Sequence, residues 1–148
     1  MENGISIILP SYNEAENLKL LLPGINNVIK KMSCPYELLV IDTLSSTDNT
    51  REVCEINSAA YIPRVGGNTY GDAIRTGIDA AKYSKIVIMD SDGSHNPDDI
   101  PRLYEKFEQG FDVVIGSRYV SGGKTDNNWL LKLMSLCVNL VFIIIFNL

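Results

Sequence analysis

The sequence predicts an α/β fold with a mainly parallel sheet, and two observations carry that expectation. Short apolar runs of strand length alternate with stretches of helical periodicity from residue 5 to residue 115. Polar loops recur just after those runs, at residues 10–14, at Asp42, at Asp90 with Asp92, and at residues 116–118. Right-handed crossovers place all of these carboxyl ends on one sheet edge, where open α/β sheets bind ligands.

The elements follow in order. Residues 5–9 (Ile-Ser-Ile-Ile-Leu) read as a strand ended by Pro10, and Asn13 with Glu16 reads as a capping box. Leu18, Leu21, Leu22, Ile25, Val28 and Ile29 have helical spacing, with a kink or break expected at Pro23 and Gly24. Residues 36–41 read as a strand buried on both faces. The polar loop 42–50 then leads into a short helix at 50–56, capped by Thr47 or Asp48. Residues 59–63 are a third strand, and 64–71 form a glycine-rich connection. A helix over 72–81 would turn Ala73, Ile74, Gly77, Ile78 and Ala81 inward, with Gly77 and Ala81 allowing close packing on the sheet. Residues 86–89 read as a buried strand. Asn96 then caps a helix over 97–108 with Pro97 at its first position, and Gly110 ends it. Residues 111–115 (Phe-Asp-Val-Val-Ile) read as a last strand. The tail from Trp129 has Lys132, Ser135 and Asn139 on one side of a helix and is otherwise apolar. It reads as an interfacial membrane helix, or the start of a span, rather than one more helix packed on the sheet.

Composition narrows the function. The chain has 148 residues and a net charge of −5, which argues against nucleic acid as a partner. Cys34, Cys54 and Cys137 fit no metal spacing and read as reduced thiols in a cytosolic domain. The N-terminus lacks a positive stretch, and the apolar run that follows is too short for a signal peptide.

Three chemistries suit two carboxylates one residue apart at a strand end: metal ligation, an aspartate nucleophile, or a turn. The convergence of polar loops on one edge favours a ligand role over the turn. A dehalogenase-type phosphatase would need a further acidic pair, and after Asp99 the acids are unpaired. Gly66, Gly67 and Gly71 fit neither the P-loop nor the dinucleotide fingerprint, since Asp72 and Ala73 follow Gly71. That loop either lets backbone approach a ligand or simply turns. His95, the lone histidine, reads first as a solvated loop residue. Arg118, just after the 111–115 run, has the guanidinium fork that suits phosphate.

Four ordered stretches carry a resemblance: 8–18 (ILPSYNEAENL), 70–77 (YGDAIRTG), 89–97 (MDSDGSHNP) and 112–123 (DVVIGSRYVSGG). Together they resemble family 2 inverting glycosyltransferases of the GT-A fold, in the group of dolichol-phosphate mannosyltransferases and polyprenyl-phosphate glucosyltransferases. The resemblance implies a Rossmann-like GT-A fold with a C-terminal amphipathic helix. It implies a nucleotide-sugar-binding catalytic domain over 1–126 and a membrane-associated helix over 127–148. Asp90, Asp92 and Ser94 would hold Mg2+ or Mn2+. Pro10, Tyr12, Glu14, Asp42 and Asp90 would line the nucleotide pocket. Asp92 and Arg118 would be catalytic, with Arg118 meeting the acceptor phosphate. The implied partners are a nucleotide sugar (GDP-mannose or UDP-glucose), a polyprenyl phosphate and the inner, cytoplasmic face of a membrane, with self-association through the apolar tail. The alternative is a non-catalytic nucleotide-sugar-binding or membrane-docking module. Two departures stand out. Ser94 occupies a position where the family often has Gln, and the loop after Asp42 (Thr-Leu-Ser-Ser-Thr-Asp-Asn-Thr) lacks the family's second Asp and is one residue longer. The family also continues past the amphipathic helix, so a shortened catalytic domain is expected.

Overall fold

The computed structural model describes residues 4–117, 120 and 129–146. Contacts divide the chain into two compact units, Met1–Val114 and Ile115–Leu148.

The first unit holds a four-stranded parallel sheet, with β1 (Ile5–Pro10), β2 (Tyr36–Asp42), β3 (Ala60–Pro63) and β4 (Lys85–Ile88) in the order β3-β2-β1-β4. Ile8 pairs with Leu39 on one side and Ile88 on the other. Chain order reverses between β1 and β4, and such a switch point opens a crevice beyond the carboxyl ends of the strands. Every residue of β1 is buried, as its central position requires. Ile5, Ile7 and Leu9 meet α1 (Ala15–Met32) and α2 (Thr50–Ile56) in one core. Ile8, with Leu39 and Ile41, faces α3 (Tyr70–Ala80) in a second. A Cβ on Gly77 would lie 2.5 Å from Ile8 Cγ2, so glycine there sets how close α3 comes to the sheet.

Several expectations need correction. The capping box at Asn13 is absent: Asn13 takes a left-handed conformation (φ 57°) and spends its side chain on the loop after β2. Asp48 from that loop caps α1 instead, accepting the Ala15 N–H at 2.9 Å. α1 runs unbroken through Pro23, because Pro23 is exposed while Leu22 and Ile25 beside it are fully buried. On the wet side water can take the carbonyl that proline leaves unbonded. α3 starts two residues early, where Thr69 and Asp72 form a reciprocal capping box. Thr76, not Ile78, is buried on its inner side. The helix after Asn96 is a 3-10 turn (Pro97–Asp99) followed by α4 (Ile100–Glu108).

β4 is an edge strand rather than a fully buried one. α3 packs over β1 and β2, which leaves Ile86 and Ile88 exposed on that face. Residues 111–115 form no strand, and Phe111, Val113 and Ile115 are exposed. Their β-branched composition carries propensity, but a strand exists only once a neighbour's ladder holds it.

The second unit contains α5 (Trp129–Phe146). Leu133, Met134, Leu136, Val138, Leu140, Val141 and Ile145 are all exposed along it. Among the described residues no helix is long and apolar enough to cross a membrane.

Candidate active site

The carboxyl ends of β1, β2 and β4 bring three loops together. Asp42 ends β2 and is completely buried. Its Oδ1 accepts the Asn13 N–H at 3.1 Å, while Oδ2 meets the geometric criteria for a hydrogen bond with no group among the described residues. A buried carboxylate oxygen without a donor is costly. The Ser11 hydroxyl, also buried and without a partner among the described residues, lies at the end of the neighbouring strand. The Asp42 charge is felt locally: burial first, then Asp42, pushes the Tyr61 phenol up and the Cys54 thiol up to about 12. Cys54 is therefore an inert core thiol.

The loop after β2 is wired to the loop after β1. Asn13 Oδ1 accepts from Thr47 N at 2.8 Å, with the Ser46 hydroxyl 3.2 Å away. Asp48 accepts from Ala15 N, Thr50 N and Ser46 Oγ. Burial alone would raise the Asp48 pKa, but these donors together bring it below the ordinary carboxylate value. In place of the family's second Asp, Thr43 is buried and donates to Asn68 Oδ1 at 2.9 Å.

Arg64 fastens these segments from below. It is 4% exposed, and its guanidinium donates to the carbonyls of Ser11, Asp42, Asn68 and Thr69. One buried fork thus joins the ends of β1 and β2 to the first turn of α3.

Asp90 and Asp92 follow β4 on the far side of β1. Between them, Ser91 is buried and donates to the Pro10 carbonyl at 2.7 Å, so the acidic loop is anchored to β1. Asp90 is half-exposed, with its N–H donating to His95 Nδ1 at 3.2 Å. His95 is half-exposed too, but it closes the acidic loop rather than standing free in solvent. Asp92 is exposed, and its Oδ1 accepts the Ser94 N–H at 2.9 Å. That bond, followed by the Ser94 hydroxyl, holds its pKa below the usual value. Asp92 therefore offers an ionised, hard oxygen donor at neutral pH, and the Asp90 carboxylate stands two residues before it. Although His95 lies close to Asp90, among the described residues no three His, Cys, Asp or Glu side chains are placed to hold a metal ion together. A cation here would find its other ligands in water and phosphate, the coordination Mg2+ prefers.

Of the remaining candidates, Glu14 accepts from Asn17 Nδ2 at 2.6 Å at the start of α1. Tyr12 is exposed in the loop, and Pro10 closes β1. Arg118 lies outside the described residues.

Residues 6–147 match the profile described as Glycosyl transferase family 2. The chain belongs to glycosyl transferase family 2. Its relatives within that family include the dolichol-phosphate mannosyltransferase of Pyrococcus furiosus, 39% identical over 127 residues, covering 83% of this chain and 35% of the relative. The polyprenol monophosphomannose synthase of Mycolicibacterium smegmatis is 36% identical over 133 residues, covering 83% and 48%. The chain thus spans between a third and a half of the length of these family members. The fold matches the GT-A architecture of glucosyl-3-phosphoglycerate synthase from Mycobacterium tuberculosis, 24% identical with a TM-score of 0.62 over 73% of this chain and 41% of that one. A second crystal structure of that synthase holds Mn2+, UDP and glucosyl-3-phosphoglycerate (24% identical, TM-score 0.59, covering 71% and 39%).

Sequence reasoning about this family member missed Arg64, Asp48, Ser91 and Tyr70 as organisers of the site. Arg64 had the best signal, a cation placed directly after a strand on the ligand edge.

Proposed function

We propose that this chain is the nucleotide-sugar-binding catalytic part of a glycosyltransferase that moves mannose or glucose from a nucleoside-diphosphate sugar to a polyprenyl or dolichyl phosphate, with inversion. One observation carries the reading. A buried carboxylate (Asp42), one oxygen of which has no partner among the described residues, and an acidic pair (half-exposed Asp90, exposed Asp92) flank the end of β1 on the same edge. Asp42 sits one strand from β1 and the pair one strand the other way, so about 10 Å of backbone separates them. A base held at Asp42 and a diphosphate held at Asp90 and Asp92 bridge that span. The names of the relatives supply the lipid phosphate as acceptor class.

The residues then have distinct tasks. Asp42 Oδ2 accepts an N–H from the base. Tyr12 and Glu14 border the nucleotide in the loop after β1. Asp90 and Asp92 would hold Mg2+ or Mn2+, with the Ser94 hydroxyl beside them. When bound, the cation supplies charge neutralisation for the departing diphosphate. Arg118 meets the acceptor phosphate. A phosphate monoester oxygen is already a competent nucleophile, so the site has little need of a strong base. The exposed apolar side chains of α5 suit docking on the cytoplasmic face of a membrane or association with another copy. Three free cysteines accord with that reducing side.

Calorimetric titration with GDP and UDP, each with Mn2+ and with EDTA, tests the reading. Metal-dependent binding of one nucleotide is expected, and Asp92→Ala should abolish it while leaving the melting temperature unchanged. Binding indifferent to metal, or unaffected in Asp92→Ala, would defeat the assignment.

A further inference from the structure

We infer that Tyr70 is a positioning residue for Asp90, through which the glycine-rich segment before α3 sets the geometry of the acidic pair. The inference rests on the metal role proposed above for Asp90 and Asp92. The Tyr70 phenol donates to Asp90 Oδ1 at 3.2 Å. This is longer than the usual range for a hydroxyl donor, which marks a weak bond, and Oδ1 keeps a second lone pair for a cation.

The base of the phenol is held firmly. Tyr70 is the first residue of α3, directly after the Thr69 cap. Thr69 and Asp72 exchange hydrogen bonds there, and the buried Arg64 guanidinium binds the carbonyls of Asn68 and Thr69 at 3.1 Å each. The backbone that carries Tyr70 is thus fixed by the cap and by Arg64, while its ring, 57% exposed, reaches across to the next loop.

Each member of the pair thus has its own holder. Ser94 N–H holds Asp92 from within the acidic loop. Tyr70 holds Asp90 from α3, while His95 Nε2 lies 3.6 Å from the other oxygen, too far for a hydrogen bond. Without the phenol, the half-exposed Asp90 side chain is free to rotate away from Asp92. The segment 66–71, which fits no phosphate-loop pattern, then has a task of its own: it starts α3 where Tyr70 can reach the acidic loop.

The test uses the full chain as wild type, Tyr70→Phe, Tyr70→Ala and Asp92→Ala. Binding of UDP and GDP is measured calorimetrically with Mn2+ and with EDTA, and the affinity for Mn2+ alone is read by electron paramagnetic resonance. Loss of a group that orients a metal ligand typically weakens metal affinity 10–100-fold, and about tenfold is expected for Tyr70→Phe, with Tyr70→Ala no better. The melting temperature in EDTA should be unchanged in Tyr70→Phe. If Tyr70→Phe binds Mn2+ like the wild type and only Tyr70→Ala is impaired, the ring packs and the phenol positions nothing, which overturns the inference alone. Tighter Mn2+ binding in Tyr70→Phe overturns it as well, because the phenol would then compete with the cation. If wild type and Asp92→Ala show the same metal-independent behaviour, the metal reading fails and takes this inference with it.

Discussion

Arg64 is the residue whose loss should most disturb both fold and site. Replacing it with Met keeps much of the aliphatic volume but removes the guanidinium. The carbonyls of Ser11, Asn68 and Thr69 then lose a charged donor, while Asp42 keeps the Arg64 main-chain N–H at 2.9 Å. Three hydrogen bonds from a charged group are worth about 1.5 kcal/mol each at the low end, or about 4.5 kcal/mol together. Removing a buried cation also removes its own desolvation cost, which cuts the net loss to about 3 kcal/mol. With a urea slope of about 1.5 kcal/mol per molar, the unfolding midpoint should fall by about 2 M. Arg64→Lys should recover less than half of this, because an ammonium cannot fork across two strand ends and a helix start. The assay is equilibrium urea unfolding followed by circular dichroism. A midpoint shift below about 0.5 M with an unchanged slope would refute the reasoning and mean that water replaces the guanidinium at little cost.

Three further outcomes are expected. Gly77→Ala gains helix propensity of about 1 kcal/mol but drives a methyl into Ile8. Overpacking of about 1–3 kcal/mol should win, so the variant melts lower, and adding Ile8→Val should restore part of the loss; a higher melting point for Gly77→Ala would contradict the close-packing account. Asp48→Asn should weaken the chain by about 1 kcal/mol at neutral pH through loss of the charged cap on α1. Because the folded pKa of Asp48 lies below its unfolded value, this contribution is fully present above the unfolded pKa of about 3.9 and is lost as pH falls through the folded value. Wild type and Asp48→Asn should therefore converge in acid unfolding below about pH 3, and a gap that persists there would count against the cap. Deletion of α5 should abolish binding to anionic liposomes in a flotation assay, and equal flotation of the shortened chain would exclude α5 as the docking element.

Local pattern and tertiary assembly divided the information in a way that has physical causes. The sequence alone determined the α/β class, the four strands to within a residue at each end, and the stretch from which the acidic pair projects. Strand-length apolar runs and helix starts are local signals, and Asn96 with Pro97 began its helical turn where expected. Glycine at 77 could be read as close packing because a missing side chain next to an apolar face has few other uses. What the sequence could not decide were outcomes set by distant neighbours. Asn13 looked like a cap until the loop after β2 claimed it, and Asp48 crossed 33 residues to cap α1 in its place. The 111–115 run has the composition of a strand, yet pairing with a ladder is a property of two segments and it found none. Arg64 read as the start of a loop, and only the folded chain shows it as a buried fork serving four carbonyls. Hydrogen bonds and burial between residues far apart in the chain leave no periodicity behind. The wiring of this site was therefore decided by tertiary structure, and its acidic chemistry by sequence.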